Sequence, residues 1–278
     1  MQEQFYEPRF SSSIKSVINV FNNTIETDHD SSGTINNHYE LAYITEGSLR
    51  MSINGTVFHL SPYDLYIKKP NDHYNIKVDT SSDHSFMIIN FQLYEGILHE
   101  GAGKIYHLDT EQRLLLHELY QTFSAAFANS RHRIKPKLPP DTVAERIAFL
   151  QLELFLFSLL KTKSNAQSDY ILQITGAHHY KRINDILHQN LDKNLTVPEI
   201  ASLCNMSVAN VKKIMAQYAG CGVIKYFTLL KITTAIHYLK AGYSVTEACG
   251  LLGFSSPSYF TQVFKRETGK SPTEYLKT

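Results

Sequence analysis

The hydrophobic pattern divides the chain into a β-rich first part and a helical second part. From about Val17 to Leu108, short β-branched and aromatic runs are separated by turn residues, as in an antiparallel all-β domain. After Asp109 the apolar residues recur at helical spacing. We therefore expect an α+β protein: an N-terminal antiparallel β-barrel with helices, followed by an all-α domain.

The clearest β element is a hairpin in the first part. Leu49–Ile53 and Thr56–Leu60 are two strand patterns on either side of Asn54 and Gly55. Because Asn and Gly accept positive φ angles, this pair predicts a two-residue type I′ turn.

Two longer helices are predicted after the β-rich part. The first covers Glu111 to Asn129 and stacks five apolar residues along one side: Leu114, Leu115, Leu119, Phe123 and Phe127. The second is capped by Asp141 and runs to about Lys163, with apolar residues on nearly every side. Such a helix needs cover from more than one neighbour. Either it packs on the barrel and on a partner subunit, which makes a homodimer, or it is buried completely within one monomer.

From Leu195 onward the sequence repeats itself after 48 or 49 residues. Each copy begins with a short amphipathic helix pattern, in Val197 to Cys204 and in Val245 to Leu252. A tight turn follows, Asn205–Ser207 in the first copy and Gly253–Ser255 in the second, and its serine is expected to cap the next helix.

A second helix completes each copy. Its buried face is predicted from matching apolar positions, which are Val211, Ile214 and Met215 in the first copy and Phe260, Val263 and Phe264 in the second. Helix, three-residue turn and helix is the pattern of a helix-turn-helix, whose second helix enters the major groove of DNA. Two copies predict two DNA-reading units in one chain.

The outer faces of the two second helices hold the candidate DNA-binding residues. They are Val208, Ala209, Asn210, Lys212, Lys213 and Gln217 in the first unit, and Ser256, Pro257, Ser258, Thr261, Gln262 and Lys265 in the second. Asn and Gln pair with adenine, Lys with guanine or phosphate, and Val or Ala touches a thymine methyl group. For any one of these residues a merely solvated helix face is the alternative interpretation.

A linking helix of about 28 Å is predicted from Val223 to Ala241, between the two units. Such a rod can hold two recognition helices near the roughly 34 Å that separates successive major-groove faces. It has two apolar sides, Val223, Phe227 and Leu230 on one and Ile224, Ile232, Ala235 and Leu239 on the other. We therefore expect it to pack against both units.

The charge distribution supports a nucleic-acid partner for the second part. The whole chain of 278 residues has a net charge of +1, but residues 178–278 hold 12 Lys and Arg against 6 Asp and Glu, and the remainder holds 15 against 20. A segment of +6 beside one of −5 favours a polyanion partner for the former. The three widely spaced cysteines and the absence of an apolar leader or spanning run lead us to expect a cytoplasmic protein with no membrane partner.

The segment from about His179 to Lys277 resembles the AraC family of bacterial transcription regulators. The run from Gly253 to Tyr275 looks like the family's signature. The resemblance implies a regulator of transcription, such as an activator, with promoter DNA and RNA polymerase as partners. It also implies a small-molecule effector bound in the N-terminal domain.

The N-terminal part is similar to cupin-type sensing domains, in Glu40–Gly47 and Asp64–His73. The His-x-His pair of metal-binding cupins is missing, because Ile35, Asn36 and Asn37 stand before Glu40. We therefore expect no metal, no cofactor and no catalytic residue. Candidate effector contacts in the barrel are His38, Glu40, Tyr43 and His73.

Three segments follow from these resemblances: residues 1–110 as a cupin-like effector-sensing barrel, 111–168 as a helical dimerisation and linker region, and 169–278 as the DNA-binding domain. Two other functions stay open at this point. One is a cupin-type metal enzyme fused to a DNA-binding domain, and the other is a regulator that needs no effector.

Overall fold

A computed structural model describes residues 13–25, 30–32, 36–78, 84–94, 97–128, 134–137, 141–161, 171 and 175–276. It confirms the predicted α+β class, with antiparallel sheets first and helices after them.

The N-terminal β domain is built from two antiparallel sheets. Its strands are β1 (Ile14–Ile25), β2 (Asp30–Ser32), β3 (Tyr39–Glu46), β4 (Leu49–Ile53), β5 (Thr56–Leu60), β6 (Asp64–Lys68), β7 (Tyr74–Val78), β8 (His84–Leu93) and β9 (Ile105–His107). The first sheet has the order β1-β8-β3-β6-β9 and the second β2-β7-β4-β5. An apolar core lies between them, because alternate residues of each strand point inward, such as Ile44, Ile88 and Met51.

The predicted hairpin is confirmed, with β4 and β5 paired in register from Leu49 opposite Leu60 to Ile53 opposite Thr56. Asn54 and Gly55 have φ angles of 46° and 86°, the positive values of a type I′ turn. The run Asp30-Ser31-Ser32-Gly33 has the composition of a turn, but its first three residues form β2 against β7.

Two helices cover the outer face of the first sheet: α1 (Thr110–Ala126) and α2 (Thr142–Lys161). Asp141 caps α2 as expected, since its Oδ1 accepts the N–H groups of Val143 and Ala144 at 3.1 and 3.0 Å. The predicted stack on α1 is partly wrong. Leu114 is 59% exposed because the helix turns it away from the sheet. Phe127 is buried but lies beyond the helix, in β10 (Phe127–Ala128), which pairs with β11 (Lys135–Pro136).

Helix α2 is buried on one side only. Its inner side packs on the β domain through Ala148, Leu152, Phe155, Leu156 and Leu159. Its outer side leaves five large apolar residues uncovered: Val143, Ile147, Leu150, Leu154 and Phe157. Complete burial of this helix within one monomer is therefore wrong.

The C-terminal helices form two cores that share one helix. They are α3 (Thr175–His188), α4 (Val197–Leu203), α5 (Val208–Tyr218), α6 (Val223–Lys240), α7 (Val245–Leu251), α8 (Pro257–Thr268) and α9 (Pro272–Leu276). Helix α6 is the predicted linking helix. It packs Val223, Phe227 and Leu230 into the first core and Ile232, Ala235 and Leu239 into the second, as expected. Ile224 was wrongly assigned to a buried side, because its position on the first turn leaves it 43% exposed.

Residues 164–168, at the end of the predicted dimerisation and linker region 111–168, lie outside the described residues. Within the described residues no single helix is long and apolar enough to cross a membrane; only α5 and α6 taken together, bent by 59° at their junction, reach that length and composition.

Candidate nucleic-acid interface and effector site

Helix α5 presents the first set of predicted DNA contacts on its outer side. The preceding turn holds Asn205 at a φ of 51°, and Ser207 Oγ accepts the backbone N–H of Asn210 at 3.2 Å, which caps the helix as expected. The inner side is buried at Val211, Ile214 and Met215. Ala209, Lys212 and Lys213 are exposed, and Val208, Asn210 and Gln217 are half-buried.

Helix α8 presents the second set, but its cap differs from the prediction. Ser256 Oγ accepts the N–H of Tyr259 at 3.2 Å, so the capping serine is Ser256 and not Ser255. Pro257 explains the shift, because proline lacks an N–H and fits the first helical position. Pro257, Ser258, Gln262 and Lys265 are exposed, and Ser256 and Thr261 are half-buried.

The one acidic residue of α8, Glu267, is neutralised by two basic side chains. Glu267 bonds Lys225 Nζ and the Nε of Arg266, the latter at 2.8 Å. Burial acts to raise the pKa of Glu267, but the bonds from Lys225 and Arg266 outweigh it and hold the pKa below its ordinary value. Arg266, which the sequence prediction left out, has a side chain that is 62% exposed. Its position next to Lys265 in the sequence was the available signal.

Helix α3 completes the first unit and was missed as part of it. Tyr226 on α6 donates to Asn184 Oδ1 at 2.6 Å, and Tyr180 donates to the Tyr226 hydroxyl at 3.3 Å. All three residues are buried. The spacing of Tyr180, Ile183 and Leu187 along one helical side was the signal for a third core helix. This polar network fixes α3 against α6.

Three of the four predicted effector residues lie in one polar cluster at an end of the β domain. Glu40 is buried on the inward face of β3 and hydrogen-bonds Tyr74. His73 is 3% exposed and neither of its ring nitrogens has a hydrogen bond. Burial, together with the charge of Lys68, lowers the pKa values of His38 and His73 to about 4, so both rings are neutral at pH 7.

Tyr43 is separated from this cluster. Successive side chains of a strand point to opposite faces of the sheet. Tyr43 is three positions after Glu40 on β3, so it faces α1, on the opposite side of the sheet from Glu40. It lines a different cavity of about 360 Å³ together with Arg113 and Tyr120. The expectation that all four residues share one pocket is therefore wrong.

Lys68 belongs to the cluster and was missed. Lys68 lies opposite Glu40 in the backbone register of β6 and β3. Its ammonium has no hydrogen bond and lies 4.3 Å from the centre of the Tyr74 ring. Burial lowers its pKa, while Glu40 and Asp72 oppose that change. Lys68 shares the inward face of β6 with Tyr66, two positions before it. A lysine at a strand end normally extends to solvent, so nothing in the sequence was a reason to place it in the cluster.

A cavity of about 250 Å³ opens beside this cluster. Ile53, Phe58 and Tyr66 form its apolar lining, and Asn54 and Asp72 lie at its edge. Because Tyr66 is two residues from Lys68 on the same strand face, the cavity and the polar cluster adjoin.

Two turns of the β domain contact the helical part. In the turn before β7, Asn71 accepts hydrogen bonds from Tyr275 at 2.6 Å and Thr233 at 3.3 Å, while the His73 ring packs edge-on against Tyr226, 5.0 Å between centres. In the hairpin turn, the carbonyl of Asn54 accepts from Asn184 at 3.4 Å. The turn that holds Asn71 and His73 thus joins the polar cluster to both DNA-reading units.

Two family models match separate parts of the chain. One describes an AraC-like ligand binding domain and matches residues 24–160. The other describes a helix-turn-helix domain and matches residues 200–278. The first match covers the β domain together with α1 and α2, and the second covers the helices from α4 onward.

Named relatives are regulators of transcription or of an operon. The Msm operon regulatory protein of Streptococcus mutans is 22% identical over 248 residues, which are 88% of this chain and 86% of that protein. The transcriptional regulatory protein HptR of Staphylococcus aureus is 22% identical over 187 residues, 62% of this chain and 71% of its own. Among solved structures, ToxT from Vibrio cholerae with an unsaturated fatty acid bound covers 95% of this chain and 96% of its own, with a TM-score of 0.40 and 14% identity.

Proposed function

This chain belongs to the AraC family of transcription regulators, and from that premise we propose that it reads two adjacent major-groove segments of promoter DNA with α5 and α8. It carries a ligand-binding domain and a helix-turn-helix DNA-binding domain. The residues proposed to touch DNA are the twelve predicted on these two helices.

The observation that carries this proposal is the common arrangement of the two recognition helices, with one side buried and the other accessible. Each is capped by a serine, packs its apolar side into its own core, and leaves all six of its predicted contacts accessible. Lysines such as Lys213 and Lys265 supply phosphate or guanine contacts, and Gln262 supplies an amide for adenine. We further propose Arg266 as a phosphate contact, because its guanidinium is exposed beside Lys265.

We propose that the effector binds in the β domain, in the cavity beside Lys68 and His73. Buried polar atoms without partners cost free energy, which a ligand that bonds them offsets. Tyr66 and Phe58 offer the apolar walls that ligand cavities usually have. Of the predicted effector contacts, His38, Glu40 and His73 remain in this proposal and Tyr43 does not.

The turn that carries Asn71 and His73 supports a regulatory mechanism. A ligand that moves this turn changes the contacts of Asn71 with Tyr275 and Thr233, and so the placement of both DNA-reading units. The ligand shifts promoter occupancy only if it binds the two arrangements with different affinity. We propose that ligand binding moves His73, and that its contact with Tyr226 transmits this movement to the first unit.

We also propose a homodimer formed through α2. Its five exposed apolar residues follow one another at intervals of four, three, four and three, which is the spacing of a two-helix seam: Val143, Ile147, Leu150, Leu154 and Phe157. A second copy of α2 covers this stripe by the same contacts, since a twofold interface uses one patch on both subunits.

The proposal also assigns a role to each segment of the chain. We assign residues 1–110 to sensing, 111–168 to dimerisation and linking, and 169–278 to DNA binding. We propose a cytoplasmic activator that contacts RNA polymerase at its promoter and catalyses no reaction. A metal retained at stoichiometric level through purification would instead favour the enzyme hypothesis.

Selection of bound fragments from a random pool of double-stranded DNA tests the main proposal. At one fixed salt concentration, the full chain is expected to enrich two sequence blocks about 10 base pairs apart. Lys213→Ala is expected to degrade one block and Gln262→Ala the other. Lys104→Ala, which removes an exposed lysine from the β domain, is the control and leaves both blocks intact. No enrichment at any salt concentration would refute sequence-specific reading by this chain.

Sedimentation tests the dimer. Placing glutamates at Leu150 and Leu154 puts two charges from each subunit into the seam, and we expect the dimer dissociation constant to rise at least about 100-fold. Leu114→Glu is the control, because Leu114 is equally exposed but lies on α1. A dimer unaffected by the paired glutamates would place the interface elsewhere.

A further inference from the structure

Lys231 lies in the interior of the DNA-binding half, on α6. It is 4% exposed, and its Nζ donates to three oxygens: the carbonyl of Lys193 at 2.7 Å, Oδ1 of Asn194 at 3.1 Å and the carbonyl of Leu252 at 2.9 Å. An ammonium group has three N–H donors, so this set satisfies it completely.

The three acceptors come from different units. Lys193 and Asn194 lie in the loop before α4, in the first unit, whereas Leu252 ends α7 at the turn of the second unit. The ammonium also lies 4.9 Å from the ring centre of Phe227 and 5.4 Å from that of Phe254, again one residue on each side. Lys231 therefore joins the two units directly, beyond the covalent link that α6 provides.

A second contact reinforces this junction. Asn194 Nδ2 donates to the carbonyl of Gly253 at 2.7 Å. Gly253 has a φ of 64°, and a Cβ placed on it would lie 2.0 Å from the carbonyl oxygen of Asp192. The turn of the second unit thus meets the backbone of the first unit at a distance that only glycine allows.

The junction stands where the two apolar cores meet. Leu230 packs into the core that holds α5, and Ile232 packs into the core that holds α8. Apolar contacts have little directional preference, so they alone would let the two cores that share α6 shift relative to each other. Hydrogen bonds to fixed carbonyls do have a preferred direction.

We infer that Lys231 is a positioning residue that fixes the distance and angle between α5 and α8, so that the protein accepts one spacing between the two blocks of its operator. This inference rests on the proposed reading of DNA by both helices. Lys231 touches no DNA in this role, because it is enclosed by its own chain.

The test uses the operator obtained by fragment selection, with the blocks moved apart by one or two base pairs or closer by one, and with each block alone. For the wild-type full chain we expect at least about tenfold weaker binding at each altered spacing. For Lys231→Met we expect the affinity for a single block to stay within about twofold, while the penalty for altered spacing falls below about threefold. Lys240→Met, an exposed lysine at the end of the same helix, keeps the full penalty.

A second variant covers the case in which Lys231→Met does not fold. Asn194→Ala removes one acceptor and the bond to Gly253, and we expect it to reduce the spacing penalty by an intermediate amount. A folded Lys231→Met or Asn194→Ala protein with the wild-type penalty would overturn the inference alone, as would a wild-type protein that tolerates every spacing. Failure of the wild-type protein to enrich any motif would overturn the proposed function, and the inference with it.

Discussion

The two halves of this molecule treat their buried polar groups in opposite ways. In the β domain, Lys68 Nζ, both ring nitrogens of His73 and Oδ1 of Asn90 are buried without a hydrogen bond. In residues 175–276, all of them described, no buried side-chain nitrogen or oxygen lacks a partner, and Lys231 has three. Buried polar groups favour a fixed geometry when all are paired and leave capacity for a ligand when they are not. The contrast therefore separates a rigid reading half from a sensing half.

The largest expected effect tests the rigidity of the reading half. Gly253→Ala forces a Cβ onto the Asp192 backbone and strains a left-handed φ, and we expect a loss of about 4 kcal/mol in the free energy of unfolding. Gly269→Ala has the same kind of φ, 77°, but open space around the Cβ, so its loss should be about 1 kcal/mol. Urea unfolding of both variants measures the difference. Equal losses would show that the contact between the units is loose.

The same substitution in the two halves tests the comparison most directly. Lys231→Met leaves two buried carbonyls without their donor, and we expect it to cost about 3 kcal/mol of unfolding free energy. Lys68→Met removes a buried charge that has no hydrogen bond, so we expect a change within about 1 kcal/mol of wild type. Thermal or urea unfolding checks both values. A Lys68→Met loss as large as that of Lys231→Met would mean that Lys68 has a structural role.

Sequence reasoning succeeded where one local rule decides the structure. Asn54-Gly55 predicted its turn because few other residues adopt two positive φ angles in succession. Asp141 and Ser207 predicted their caps for a similar reason, since a free backbone N–H needs an acceptor nearby. The AraC family, with its ligand-binding domain and its helix-turn-helix domain, was confirmed by the matches to family models.

It failed where contacts between distant residues decide. Lys231 is separated from Leu252 by one whole helix and a turn, and nothing in the local pattern marks a lysine as buried. Tyr43 was grouped with Glu40 by closeness in sequence, although the two residues are three positions apart on one strand and an odd separation puts their side chains on opposite faces. The capping serine of the second copy was assigned to Ser255 from the offset of 48 residues in the turn, whereas the offset of 49 residues in the following helix places the equivalent of Ser207 at Ser256.

A pH experiment measures the burial of His73 in the sensing half. Its folded pKa of about 4 lies below the unfolded value of about 6.5. The neutral ring therefore stabilises the fold fully above pH 6.5, and this contribution is lost as the pH falls toward 4. From pH 7 to pH 5 we expect the unfolding free energy to fall by about 2 kcal/mol from this group. His73→Leu should remove that part of the slope, whereas His237→Leu, at an exposed position on α6, should not. An unchanged slope in His73→Leu would contradict the buried neutral ring.

The smallest expected effect concerns the hydrogen bond that joins the halves. Asn71 has a φ of 70°, so Asn71→Gly keeps the turn while it removes the acceptor of the Tyr275 hydroxyl. Tyr275→Phe removes the donor and keeps the ring against Phe264. Each variant should lose about 1 kcal/mol, and the double variant should lose no more than either, which gives a coupling energy of about 1 kcal/mol. Additive losses would show that the two residues act separately and that the turn does not hold α9. A measurable coupling means that the bond between Asn71 and Tyr275 links this turn to the second unit, in addition to the bond from Thr233 to the Asn71 carbonyl and the contact of His73 with Tyr226 in the first unit.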